Sequence, residues 1–272
     1  MVIKLKDLWI CVFGILMVFM VCLSATDNKA RTTDAILTSS SGLDNTKMGW
    51  GIKRNDNHEQ PDVGAKNKKL LDEYSGICMG NSEKKYVYLT FDEGYEAGYT
   101  DKILETLKEN EVTATFFITA HYLNTSEELV KKMLDYGNIV GNHTCSHKSM
   151  PDLTDEQVKE EITKMHAAIF EKIGYEMKYI RPPMGEFSQR TLAITQSLGY
   201  TTVMWSFAYD DWNENAQKGE SYAKEKILNN IHNGAVLLLH GNSKDNTNVL
   251  DYCIKEIKNM GYEIKSLDEF ER

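Results

Sequence analysis

Tyr86-Val87-Tyr88-Leu89-Thr90-Phe91-Asp92-Glu93-Gly94 runs an apolar, alternating segment straight into two adjacent carboxylates. Residues 86–91 are aromatic, β-branched or aliphatic, the composition of a strand buried in a core. Gly94 then lets the chain turn sharply. Packing such a strand does not require an acidic pair at its tip. Taken alone, Asp92 and Glu93 read as the solvated start of a loop; a chemical role needs partners elsewhere in the chain.

Downstream, strand-like runs at 114–119, 139–141, 179–181, 201–206, 235–240 and 262–266 alternate with helical windows. The helices are expected at 100–110, 126–136, 154–173, 188–198, 221–232 and 248–260. Thr154-Asp155-Glu156-Gln157 has the form of a capping box, and Ser126 precedes acidic first-turn residues. Gly137, Gly174, Gly199 and Gly261 fall just past helix ends, as C-terminal caps do. Strands alternating with helices imply parallel pairing through crossovers. The expectation is an α/β fold, a distorted (β/α) barrel of about seven strands over residues 86–272. No Gly-x-Gly-x-x-Gly follows any strand, so a dinucleotide fold has no support.

Upstream of the strand the character changes. Residues 8–25 carry no charge and follow Lys4 and Lys6, the pattern of a signal peptide or membrane anchor over 1–25. Leu23 is poorly suited to the position three before a cleavage after Ala25, which favours an uncleaved anchor; either way the remainder is exported. Residues 26–48 read as a polar linker. Residues 49–85, with Trp50, Pro61, Gly64 and the helically spaced Leu70, Leu71 and Tyr74, read as an extension packed on the barrel. The whole chain has 272 residues, 42% hydrophobic and 26% charged, with a formal net charge of −9 that argues against a nucleic-acid partner held by bulk electrostatics. Outside the apolar segment only Cys78, Cys145 and Cys253 remain, an odd and irregular set that is no disulfide framework.

In parallel barrels the working groups gather at the carboxyl ends of the strands. Here those ends carry Asp92-Glu93, then Gly141-Asn142-His143-Thr144-Cys145-Ser146-His147, Arg181-Pro182-Pro183-Met184-Gly185, Asp210-Asp211-Trp212 and His240. His143 and His147, four apart, would share one face of a helical turn and suit one metal. With Glu93 they would make a His, His, carboxylate set that leaves a position for water, the arrangement usual for catalytic zinc. His240 closes an apolar run and could be a satisfied core residue; with Asp211 beside it, it suits proton donation. Arg181, stiffened by two prolines, could be a structural ion pair or could fix Asp92. Trp205 and Trp212 could wall a sugar site or belong to the core.

Taken together, these five ordered motifs are similar to those of the polysaccharide deacetylase family (carbohydrate esterase family 4, NodB-homology domain), over residues 86–272. The resemblance implies a metal-dependent deacetylase with Asp92 as catalytic base, Arg181 as its tether, and His240 as general acid oriented by Asp211. It implies Glu93, His143 and His147 as ligands of a divalent metal, Zn2+ by preference, and Trp212, Pro183 and Gly185 at the substrate. Two departures stand out: Glu93 replaces the usual aspartate, and Ala208 stands where many members carry an aspartate. With Tyr95-Glu96-Ala97-Gly98-Tyr99-Thr100 and Trp50-Gly51, these resemble the muramic-acid de-N-acetylases that prepare the δ-lactam of spore cortex peptidoglycan. Such an enzyme would act on glycan strands after an N-acetylmuramoyl-L-alanine amidase has removed the stem peptide. An N-acetylglucosamine, chitin or xylan deacetylase, or an inactive wall-binding member, stays open from the sequence.

Overall fold

A computed structural model describes residues 42–272. The expected anchor and most of the expected linker lie outside the described residues, among which no helix is long and apolar enough to cross a membrane.

Nine strands are present among these residues: β1 Met48–Gly49, β2 Tyr86–Glu93, β3 Thr115–Ile118, β4 Ile139–Asn142, β5 Tyr179–Ile180, β6 Glu186–Phe187, β7 Thr201–Thr202, β8 Ala235–His240 and β9 Glu263–Ile264. Seven form one parallel sheet in the order β7-β5-β4-β3-β2-β8, with β9 against the start of β2. Phe207, a little beyond β7, bridges Leu237 of β8 in parallel, so the sheet curls until its two edges approach. β1 and β6 make a separate antiparallel pair that the sequence does not announce, being only two residues each. The expected strand over 201–206 is paired as regular strand only at Thr201–Thr202, and its remainder follows the barrel wall through single bridges.

The sheet separates two apolar layers by strict alternation. Val87, Leu89 and Phe91 of β2 join Phe116, Ile118, Leu237 and Leu239 in the layer beneath the helices. Tyr88, Phe117 and Val236 point to the barrel interior. This period of two fixes the site as well. β2 pairs Asp92 with Phe117 on one side and His240 on the other, so these residues share the interior face, whereas Glu93 pairs with Ile118 of the helix-facing layer.

The crossovers form where their end signals stand. Thr154 and Gln157 close a reciprocal capping box on the helix Asp155–Ile173, and Gly174 ends it at φ 75°. The last long helix, Lys244–Asn259, starts earlier than its apolar spacing suggests, because Ser243 caps it through the amide of Asn246. A short helix, Ala120–Thr125, was hidden from periodicity by its length.

The 49–85 stretch contains the helix Ala65–Glu73. Trp50, Val63, Leu71 and Cys78 form an apolar cluster with Phe187, Leu192 and Met204. Trp50 also donates its indole N–H to the carbonyl of Trp205 at 2.8 Å.

Candidate active site

A cleft of about 1130 Å3 opens at the carboxyl end of the sheet, and Asp92, His143, His147, Gly185, Trp205, Trp212 and His240 all line it. Among the described residues no Lys or Arg lines it.

Arg181 is the anchor of its floor. The side chain is fully buried, 4.3 Å from the centre of the Phe117 ring. Nη1 donates to Asp92 Oδ1 at 2.7 Å, Nη2 to Thr90 Oγ1 at 2.8 Å and Nε to the Val203 carbonyl at 3.1 Å. A buried guanidinium with its donors spent in this way is tolerable, and it fixes the Asp92 carboxylate in one orientation. Burial would raise the pKa of Asp92, but Arg181, with His143 and His240, outweighs it and holds the carboxyl below its usual range.

His143 Nδ1 lies 2.9 Å from the Arg181 carbonyl, which can only accept, so that nitrogen carries the proton. Nε2 is left to face Asp92 Oδ2 at 3.5 Å. Burial pushes the His143 pKa down to about 4, leaving the ring neutral at pH 7. Its neighbour His147, also lowered by burial, packs edge-on with ring centres 4.8 Å apart. The two imidazoles do meet, though not on the expected helical turn. A loop joins them, with Thr144 and His147 at φ 67° and 56°. Such left-handed positions are costly for residues with a Cβ. Here the loop is pinned by Thr144 N to Asn142 Oδ1 at 2.8 Å, and by Ser146 N and Oγ to the Glu161 carboxylate at 2.7 and 2.5 Å.

His240 stands beside Asp92 on the neighbouring strand β8. Its Nδ1 is 2.7 Å from Asp211 Oδ1, and its backbone N–H donates to Asp211 Oδ2 at 2.9 Å. Asn246 donates to the same Oδ2 at 2.5 Å, so the buried carboxylate is held from three sides. Burial opposes charge on His240, but Asp211 outweighs it and raises the imidazole above its ordinary 6.5.

Glu93 departs from the expectation. As the strand continues through it, its carboxyl is carried away from Asp92 toward the helix Thr100–Glu109. Oε1 accepts from Thr100 Oγ1 at 3.3 Å, and Oε2 is buried without a hydrogen-bond partner. Burial, then Glu96, pushes its pKa well above the ordinary carboxylate range. Among the described residues, no group of three or more His, Cys, Asp or Glu is placed to hold a metal. The expected ligand set of Glu93, His143 and His147 is therefore not assembled; two imidazoles are.

Of the expected substrate contacts, Trp212 is 57% exposed at the cleft and Gly185 lines it, but Pro183 is buried beneath. Gly185 leaves no room for a side chain, since a Cβ there would stand 2.5 Å from the Trp205 ring. Tyr95, Met184, Glu214 and Asn242 also line the cleft and were not singled out by sequence reasoning as contacts. Tyr95 carried a signal as part of the segment following the acidic pair, and Met184 as part of the motif at 181–185.

The polysaccharide deacetylase family model matches residues 79–203. The chain is also 42% identical over 226 residues to peptidoglycan-N-acetylmuramic acid deacetylase PdaA of Bacillus subtilis, covering 83% of this chain and 86% of PdaA. The chain belongs to the polysaccharide deacetylase family. As a member of that family it is a carbohydrate esterase acting on amide bonds. The solved structure of B. subtilis PdaA, a family 4 carbohydrate esterase, matches with a TM-score of 0.82 at 41% identity, over 84% of this chain and 98% of that one. An uncharacterized 30.6 kDa protein of Geobacillus stearothermophilus is 47% identical over 85% of this chain and 88% of its own length. Within a polysaccharide deacetylase, Asp92, His143, His147 and His240 are thus the residues that this fold brings to one cleft, with Arg181 and Asp211 buried behind Asp92 and His240.

Proposed function

We propose that this chain hydrolyses the N-acetyl group of muramic acid residues in peptidoglycan from which the stem peptide has been removed. The observation that carries the reading is the juxtaposition, on adjacent strands lining one cleft, of an Arg181-tethered carboxylate and an Asp211-supported imidazole. The likeness to PdaA supports the choice of sugar.

The chemistry follows from the two pKa shifts. Asp92, held ionised, accepts a proton from the attacking water. Its position is set before substrate arrives, because Arg181 fixes the orientation of the carboxylate. His240, whose pKa is raised, supplies a proton to the departing amine nitrogen as the tetrahedral adduct collapses, and acetate leaves. Neutral His143 and His147 line the cleft beside Asp92. The family resemblance implies a divalent metal, zinc by preference. His143 and His147 offer two imidazole donors for one; Glu93, as placed here, offers none.

The expected route continues beyond this step. The freed amine lies on the same sugar as the lactyl carboxyl, so it can close to muramic δ-lactam, the spore cortex modification. This places the enzyme after an N-acetylmuramoyl-L-alanine amidase, exported and either anchored by its N-terminal segment or released to the wall. Acetate release from peptide-stripped glycan strands tests the reaction; release that persists unchanged in Asp92→Asn would overturn it. Muropeptide mass spectrometry of a deletion strain tests the route, the expected result being loss of muramic δ-lactam.

A further inference from the structure

The segment after the acidic pair, Tyr95 to Thr100, is not used by the chemistry above, and its two acidic and aromatic leaders face opposite ways. Glu96 turns inward: its Oε1 accepts from the amides of Gly98 and Tyr99 at 2.5 and 2.8 Å, and its Oε2 accepts from the Tyr122 hydroxyl at 2.9 Å. Tyr95 turns out over the cleft. Its hydroxyl donates to Glu214 Oε1 at 2.6 Å and accepts from Asn242 Nδ2 at 2.8 Å. Asn242 Nδ2 also donates to the Trp212 carbonyl at 2.9 Å. That carbonyl can only accept, which sets the amide orientation, and both amide protons of Asn242 are then spent. One side chain, two positions after His240, thus holds two residues from two other loops.

What remains available on Tyr95 is its ring. The polar tip is satisfied, yet the residue is 46% exposed, and Trp212 beside the same amide is 57% exposed. Among the described residues the exposed large hydrophobics number five, Tyr95, Phe170, Met184, Trp212 and Tyr252, and three of these line the one cleft. Aromatic rings with a fixed polar edge and an open apolar face are suited to the C–H faces of pyranose rings. Holding the Tyr95 ring in place beforehand avoids the entropy cost of ordering it on binding.

We propose that Asn242 fixes the Tyr95 ring so that it forms, with the exposed Trp212 ring on the same cleft, a two-ring clamp for the sugar adjacent to the one being deacetylated, making Tyr95 a specificity-determining residue that selects a glycan strand over a short fragment. The clamp rests on the reading of the cleft as a glycan deacetylase site. Tyr95 contributes its ring face to the neighbouring sugar, and Glu214 and Asn242 contribute only its orientation.

The test compares KM and kcat for acetate release from peptide-stripped long glycan strands and from the corresponding disaccharide. Wild type is expected to favour the long strand through KM. Tyr95→Ala and Asn242→Ala are expected to reduce that preference roughly five- to ten-fold, the size of one lost aromatic contact, with the change in KM rather than kcat. Tyr95→Phe keeps the ring but frees it from Glu214 and Asn242, so it should lose about as much of the preference as Asn242→Ala. A loosened fold would instead shift both substrates alike, so equal losses on long and short glycans, or a wild type without length preference, would overturn the clamp. Tryptophan fluorescence titration of the Asp92→Asn protein with the same glycans separates the two readings. If wild type releases no acetate from any glycan, the deacetylase reading falls. Length-dependent quenching weakened by Tyr95→Ala would then still support the clamp, and its absence would remove it.

Discussion

Asp92 and His240 lie side by side on neighbouring strands, and in the proposed mechanism the opposite shifts of their pKa values set a pH window. Rate should fall on the acid side as Asp92 takes up a proton, below the ordinary aspartate value of 3.8, and on the alkaline side as His240 loses one, above the ordinary 6.5. Because Asp211 is what raises His240, Asp211→Asn should move the alkaline limb of kcat downward, and a limb that stays in place would refute the pairing. His240→Ala should lower kcat by about 10²- to 10⁴-fold, the usual worth of a positioned general acid. Glu93 gives a stability prediction of definite sign. Its folded pKa is raised, so the native state binds a proton that the unfolded chain releases above about 4.5. Stability is then lost as pH rises from that value toward the folded one. Glu93→Gln lacks this penalty and should gain in Tm relative to wild type at pH 8 but not at pH 4. An equal Tm difference at both values would show that folding does not raise the Glu93 pKa.

At the scale of elements, register decides which side chains can work together. Asp92 and Glu93 are adjacent in sequence and read equally well as a pair. Continuation of β2 through Glu93 puts one in the barrel and the other under the helices. The sequence shows the strand but not where its pairing stops, because pairing depends on neighbours far along the chain. The turn after β8 is built to this outcome: a Cβ on Gly241 would stand 1.8 Å from Glu93 Oε1. Gly241→Ala should therefore cost about 1–3 kcal/mol in denaturant unfolding. Adding Glu93→Ala should recover part of that cost, as a double-mutant cycle would show; strict additivity would mean that the two positions do not touch. The histidine loop shows the same dependence on context. Spacing of four allowed a helical turn, but Asn142 and Glu161 hold a strained loop instead.

For the molecule as a whole, the extension before β2 is part of the site's foundation. Trp50 is 7% exposed, donates to the Trp205 carbonyl, and packs beside Gly185. Trp50→Ala should cost about 3–5 kcal/mol, the range for emptying a buried aromatic site, measured by chemical denaturation. It should also disturb the cleft wall, since Trp205 would lose its support. If the variant kept full stability, the extension would be an independent appendage.

Alternation of strands and helices, capping residues and polar groups repeatedly placed at strand ends were all local signals. From them alone the sequence determined the α/β class and the succession of strands and helices along the chain, and it offered Asp92, Arg181, His143, His147, Asp211 and His240 as candidates at the strand ends. Those signals are read within a few residues, since backbone period and turn chemistry are local properties. Tertiary structure alone decided that Glu93 leaves the imidazoles, that the sheet's edges meet through Phe207 and Leu237, and that Asn242 ties Tyr95 to Trp212. Each of these depends on register and on contacts between segments distant in the chain, and no periodicity in the sequence encodes them.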